Sequence, residues 1–219
     1  MNGWAQIPGV HIEGVCDIDP AKAEAFAQDF GARPFTDARH MLEQLQPDFV
    51  DIATTVHSHR ALVELAAPAT RLVICQKPLA EHMADARAMV MACENAGTHF
   101  IVHENFRWQR PFRELRKAID KGAIGQPHFL RLSFSHDFDI YANQPYLADV
   151  ADLALTDIGL HMFDLVRFLM GDVESVACHA RRLNPNIRGL DAFTALLVHG
   201  AGAASSVECS FFSTWTPEP

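Results

Sequence analysis

The sequence predicts an α/β protein in two parts, a parallel sheet with helices between its strands followed by a helix-and-strand segment built on an antiparallel sheet. Two observations carry this. Up to about Glu104, apolar runs of strand length alternate with helical patterns, the arrangement that parallel strands require. Beyond Arg107 that alternation stops, and β-rich stretches come to follow one another with no helix between them.

In the first part the strand-like runs are His11 to Cys16, Asp48 to Ala53, Arg71 to Gln76 and His99 to His103. Between the first two, Asp19 precedes Pro20 and caps a helix whose apolar face is Ala23, Phe26, Ala27 and Phe30 and whose end is Gly31. Further helices are predicted over Ala38 to Leu45, His59 to Ala67 and Ala84 to Asn95, the last closed by Gly97. In the second part an amphipathic helix from Pro111 to Lys121 leads to a strand at His128 to Phe134. A helix from Thr156 to Leu169 then stops at Gly171. Strands follow at Glu174 to Arg182, Phe193 to His199 and Ala204 to Phe212.

Composition narrows the partners. A net charge of −9 over 219 residues, with no basic run longer than Arg181-Arg182, gives no footprint for nucleic acid or an anionic membrane. A small-molecule substrate is the expected partner. No run reaches the roughly 18 apolar residues of a membrane span, and no basic-then-apolar leader opens the chain, so a cytoplasmic protein is expected. Cys16, Cys75, Cys93, Cys178 and Cys209 are odd in number and widely spaced, and they read as reduced, buried thiols.

Chemistry-bearing residues fall at strand ends and on one helix. Asp17 ends the first strand run, where an acidic group is placed to accept hydrogen bonds from an adenosine ribose and to disfavour a 2′-phosphate. Thr54 to His59 closes a strand and opens a helix, where free N–H groups and hydroxyls can meet a cofactor. His57 and His59, lacking an acidic or thiol ligand nearby, read as surface or capping residues, and no metal site is expected. Gln76 and Lys77 end a buried strand, the edge at which open α/β sheets bind ligands. Asp157, His161 and Asp164 are spaced by four and three residues. On a regular helix of about 100° per residue they share one face, within about 60° of each other. Asp157 is then placed to orient the imidazole and support a general acid and base.

Taken together, Cys75-Gln76-Lys77-Pro78-Leu79-Ala80 and Asp157-Ile158-Gly159-Leu160-His161-Met162-Phe163-Asp164 resemble two signatures of the Gfo/Idh/MocA oxidoreductases, the family of glucose-fructose oxidoreductase and inositol dehydrogenase. Val15 to Pro20, Glu104 to Arg107 and Gly122 to Pro127 resemble further landmarks in the same order. The resemblance implies an incomplete Rossmann nucleotide-binding domain at 1–107, followed at 108–219 by part of a substrate and dimerisation domain with an open, mostly antiparallel sheet. It implies NAD, rather than NADP, as cofactor, and hydride transfer to or from a secondary alcohol of a sugar, polyol or inositol-like substrate. By the family pattern Lys77 and His161 form the catalytic pair with Asp157. Asp17, Thr54, His59, Gln76 and Lys77 meet the cofactor, and Asn105, Arg107, Tyr146, Asp157 and His161 meet the substrate, with Asp164 beside them.

The chain departs from that pattern in three places. It contains no G-x-G-x-x-G loop, and Met1 to Val10 reads as the tail of the family's first helix. It stops after a β run, so homo-oligomerisation is expected only where further C-terminal strands are present. Gln76 stands where the family most often has glutamate. The alternative reading is a catalytically inactive remnant or sensor; a third is a relative whose nicotinamide chemistry ends in elimination or hydrolysis.

Overall fold

A computed structural model of the chain describes residues 3–213, which divide between His103 and Glu104 into two compact units. In the first unit five parallel strands form two separate sheets. β1 (Gly14–Cys16) pairs with β2 (Arg33–Phe35), and β3 (Phe49–Ile52), β4 (Leu72–Cys75) and β5 (His99–Val102) pair in that order. Trp4 lies against β3: its Nε1 donates to Asp51 Oδ2 at 2.7 Å, and its ring sits 5.0 Å from that of Phe49.

Helices α1 (Pro20–Phe30), α2 (Ala38–Leu45), α3 (Val56–Ala66) and α4 (Met83–Ala96) connect these strands. Local chemistry sets several ends. Asp19 accepts from the Ala21 N–H and Asp37 from the His40 N–H, while Gly31 and Gly97 close α1 and α4 in the left-handed conformation that glycine adopts without cost. Phe26, expected on the buried face of α1, is 49% exposed; only Ala23 and Ala27 of that helix are buried. Val63, Val73, Cys75, Met89 and Cys93 form the core, with β4 at its centre. β2 was not anticipated, because three residues containing Pro34 show neither alternation nor an apolar run.

The second unit packs α5 (Arg110–Asp120) and α6 (Leu160–Met170) with a four-stranded mixed sheet. Its strands are β6 (Phe129–Ser135), β7 (Val173–Arg181), β8 (Ala192–His199) and β9 (Ala204–Ser210), in the order β6-β9-β8-β7. Only the β6–β9 pairing is parallel, so the sheet is mostly antiparallel as expected. Met162, Leu165, Val166 and Leu169 recur at helical spacing and are buried, each worth about 1.5–3 kcal/mol relative to exposure. Arg116 of α5 donates to the Phe168 and Leu169 carbonyls near the end of α6.

The helix predicted over Thr156 to Leu169 is not uniform. It opens with a π turn over Leu155–Gly159 before α6 begins. At Gly159 a Cβ would approach the Ala154 carbonyl to 3.1 Å and the Phe193 ring to 3.3 Å, so glycine lets the widened turn close on β8. No helix among the described residues is long and apolar enough to cross a membrane. Of the five cysteines, Cys75, Cys93 and Cys209 are buried and Cys16 half-buried, whereas Cys178, on β7, is exposed contrary to expectation.

Candidate functional site

In the first unit the predicted cofactor-facing residues gather at the carboxyl ends of the parallel strands. Asp17 follows β1, half-buried, and its Oδ1 accepts from the Asp19 N–H at 2.9 Å, which fixes the carboxylate on the turn. Thr54 is exposed after β3, and its hydroxyl accepts from Ser58 Oγ at 2.8 Å. The N-cap residue Thr55 does not cap α3 with its own side chain. After β4, the Gln76 N–H donates to the Ile52 carbonyl. The Gln76 side-chain oxygen accepts from the Lys77 N–H at 2.9 Å, while its amide nitrogen lies 3.4 Å from His103 Nδ1. Gln76 is thus occupied in shaping the turn that carries Lys77, and the Lys77–Pro78 peptide within it is cis.

His59 departs from both of its sequence readings. It is 1% exposed, so it is neither a surface residue nor presented to a cofactor. Its Nδ1 lies 3.1 Å from the Leu79 carbonyl and its Nε2 3.1 Å from the Thr54 carbonyl. A neutral imidazole carries one N–H, so the ring donates to one of these two carbonyls and lies close to the other.

In the second unit His161 sits on α6 at 5% exposure. Its Nδ1 is 2.7 Å from Glu104 Oε2, and the other oxygen of Glu104 accepts from the Phe106 N–H at 2.7 Å. The Phe106 ring stacks on the imidazole, centroids 4.3 Å apart and planes 8° from parallel. A carboxylate only accepts, so Nδ1 carries an N–H, and in the neutral ring the lone pair is at Nε2. A buried imidazole held on its edge and on its face, with one nitrogen committed as an acceptor, is equipped to take a proton.

These contacts correct the sequence analysis in one respect: the carboxylate hydrogen-bonded to His161 is Glu104, 57 residues away in the chain, where the sequence pointed to Asp157 four residues earlier. Asp157 lies on the π turn and His161 on α6, so the helix that joins them is not regular. Asp164 lies within α6 and engages Arg107 through both oxygens; Arg107 Nε donates to Oδ2 at 2.6 Å. That pairing raises the Arg107 pKa further, and it ties the Phe106–Trp108 turn to α6. Asn105 and Tyr146 are exposed, Tyr146 donating its hydroxyl to Gln144 at 2.8 Å, and Asp157 is half-buried on the π turn. The residue that sequence reasoning passed over is Glu104. It opens the quoted segment Glu104 to Arg107, but its spacing does not connect it to His161.

Comparison with known proteins adds to this geometry. Residues 1–104 match the model of an oxidoreductase family with an NAD-binding Rossmann fold, and residues 112–218 match the GFO/IDH/MocA C-terminal domain. A D-apiose dehydrogenase from Rhizobium rhizogenes is 44% identical, over 100% of this chain and 64% of its own length. A D-apiose dehydrogenase from Paraburkholderia graminis is 48% identical, over 97% of this chain and 57% of its own. A solved oxidoreductase from Agrobacterium radiobacter, in complex with NAD+, L-tartaric acid and magnesium, superposes with a TM-score of 0.94 at 44% identity, covering 100% of this chain and 64% of that one. The chain therefore spans less than two thirds of the length of each of these relatives.

Proposed function

This chain belongs to the GFO/IDH/MocA oxidoreductases, and from that premise we propose that it carries the catalytic residues of an NAD-dependent dehydrogenase of a sugar or polyol. We assign the first unit to cofactor binding and the second, with Glu104 to Arg107, to the substrate. The observation that carries the reading is the oriented His161, with Nδ1 on Glu104 and Nε2 kept as a proton acceptor. Oxidation of a secondary alcohol requires a base for the hydroxyl proton, and His161 Nε2 takes it. Lys77 supplies an ammonium at the strand edge, where it stabilises the developing alkoxide. Asp157, on the turn just before His161, accepts from a neighbouring substrate hydroxyl.

The residues fit the nicotinamide cofactor that the family implies. Asp17 places a carboxylate at the carboxyl end of β1, suited to ribose hydroxyls and adverse to a 2′-phosphate, and the first turn of α3 offers N–H groups beside Thr54. When bound, NAD supplies the hydride acceptor. The names of the two D-apiose dehydrogenases favour D-apiose, or a furanose like it, as the first substrate to try.

The test is reduced-cofactor formation by the full-length protein, with NAD and with NADP, across D-apiose, common aldoses and myo-inositol. The reading expects NAD to be preferred and a sugar or polyol to be oxidised. Turnover without net reduced cofactor would move the protein to an eliminating or hydrolysing reaction. Absence of turnover together with no thermal stabilisation by NAD would contradict the reading outright.

A further inference from the structure

We infer that His59 is a positioning residue, a clamp that sets the backbone on which Lys77 works by tying the turn after β4 to the turn after β3. The inference rests on the reading that Lys77 acts in the reaction. Three observations carry it. The ring is buried and both of its nitrogens face backbone carbonyls, so neither is turned to substrate or cofactor. Its two nitrogens lie 3.1 Å from carbonyls of two different strand-end turns, Leu79 at Nδ1 and Thr54 at Nε2, and the clamp places the ring's one N–H at Nδ1, donating to Leu79. Leu79 lies two residues after Lys77, while the residue before Lys77 is fixed by the Gln76 N–H donating to the Ile52 carbonyl at 2.9 Å.

Lys77 is therefore held from both sides. On one side β4 and the Gln76 side chain grip the backbone, and on the other the imidazole grips Leu79. Lysine has a long, rotamer-rich side chain, so the place of its ammonium depends on how firmly its backbone is set. A catalytic group held about 1 Å out of place costs up to about a hundredfold in rate. The two ring contacts are separable. An asparagine amide stands near the position of Nδ1 and keeps a donor for Leu79, whereas a glutamine amide reaches the position of Nε2 and keeps a donor for Thr54.

The experiment compares His59→Asn, His59→Gln and His59→Ala with Lys77→Ala in the full-length protein, reading kcat, KM for NAD and the melting temperature. The clamp predicts that kcat falls about tenfold or more in His59→Gln and His59→Ala with KM for NAD little changed, and that His59→Asn recovers kcat to within about threefold. A general packing role would lower the melting temperature in all three without separating asparagine from glutamine. A folded His59→Gln with wild-type kcat, or a His59→Asn as slow as His59→Gln, overturns the clamp while an inactive Lys77→Ala leaves the reading of Lys77 standing. Failure of all three His59 variants to fold overturns it as well, since the residue is then a structural prop. Full turnover in Lys77→Ala overturns the underlying reading and the clamp with it.

Discussion

Glu104 Oε2 lies 2.7 Å from His161 Nδ1, and the same carboxylate is fixed by the Phe106 N–H at its other oxygen. The arrangement suits the base proposed for the reaction: the carboxylate holds the N–H at Nδ1, and the stacked Phe106 ring holds the plane. Removing the negative charge while keeping the shape isolates the effect. Glu104→Gln is expected to lower kcat by about ten- to a hundredfold, within the range that general acid-base catalysis contributes, with a smaller change in substrate KM. Steady-state kinetics of the purified variant checks it, and an unchanged kcat would remove Glu104 from the mechanism.

His136 offers a pH-dependent test of stability. Burial lowers its pKa, against weaker opposing effects of Asp137 and Asp157, and its Nδ1 accepts from the Phe138 N–H at 3.1 Å, a bond that protonation at that nitrogen would abolish. A folded-state value below that of the unfolded chain means that the contribution is fully present above about pH 6.5 and is lost as pH falls through the folded value. Melting temperature should therefore fall on acidification, and the fall should be shallower in His136→Phe, which keeps the ring stacking on Phe138 and Phe211. Identical slopes in the two proteins would contradict this.

Thiol reactivity should follow burial. Cys75 and Cys209 have their pKa values pushed up to about 12, first by burial, and are closed to solvent, whereas Cys178 is exposed. Alkylation of the native protein followed by mass spectrometry should label Cys178 first and leave Cys75 and Cys209 unlabelled until denaturant is added.

Gly189 tests the packing of the loop between β7 and β8. A Cβ there would lie 1.9 Å from the Val150 carbonyl oxygen, while its neighbours Arg188 and Leu190 are tied by their N–H groups to Ala148 and Ala151 at 2.8 Å each. Backbone on both sides has nowhere to move cheaply. Gly189→Ala is expected to destabilise the protein by about 2–4 kcal/mol, read as the shift in a denaturant midpoint.

Much of this was legible in the chain because it is local. Asp19 and Pro20 mark a helix start, Gly31 and Gly97 mark helix ends, and the buried run before Lys77 marks a strand end facing a ligand edge. The rest depends on geometry that spacing does not carry. The π turn at Leu155–Gly159 has no signature in the spacing of its residues, and Glu104 meets His161 only through the fold. His59 carries a polar side chain at a helix start, which reads as exposed. Its burial follows from its place between the Thr54 and Leu79 carbonyls, on turns 25 residues apart in sequence, one of which takes its N–H. Phe26 is the converse case: it satisfies the apolar period of α1 and yet is half exposed in this chain.

The proposal that Lys77 and His161 serve one reaction is tested most directly by a double-mutant cycle. Turnover of Lys77→Ala, His161→Ala and the double variant is measured against the full-length parent under saturating NAD. Groups that work as a unit are expected to lose about a hundredfold or more singly, and about the same together. Wild-type turnover in either single variant, or losses that multiply in the double variant, would contradict the account.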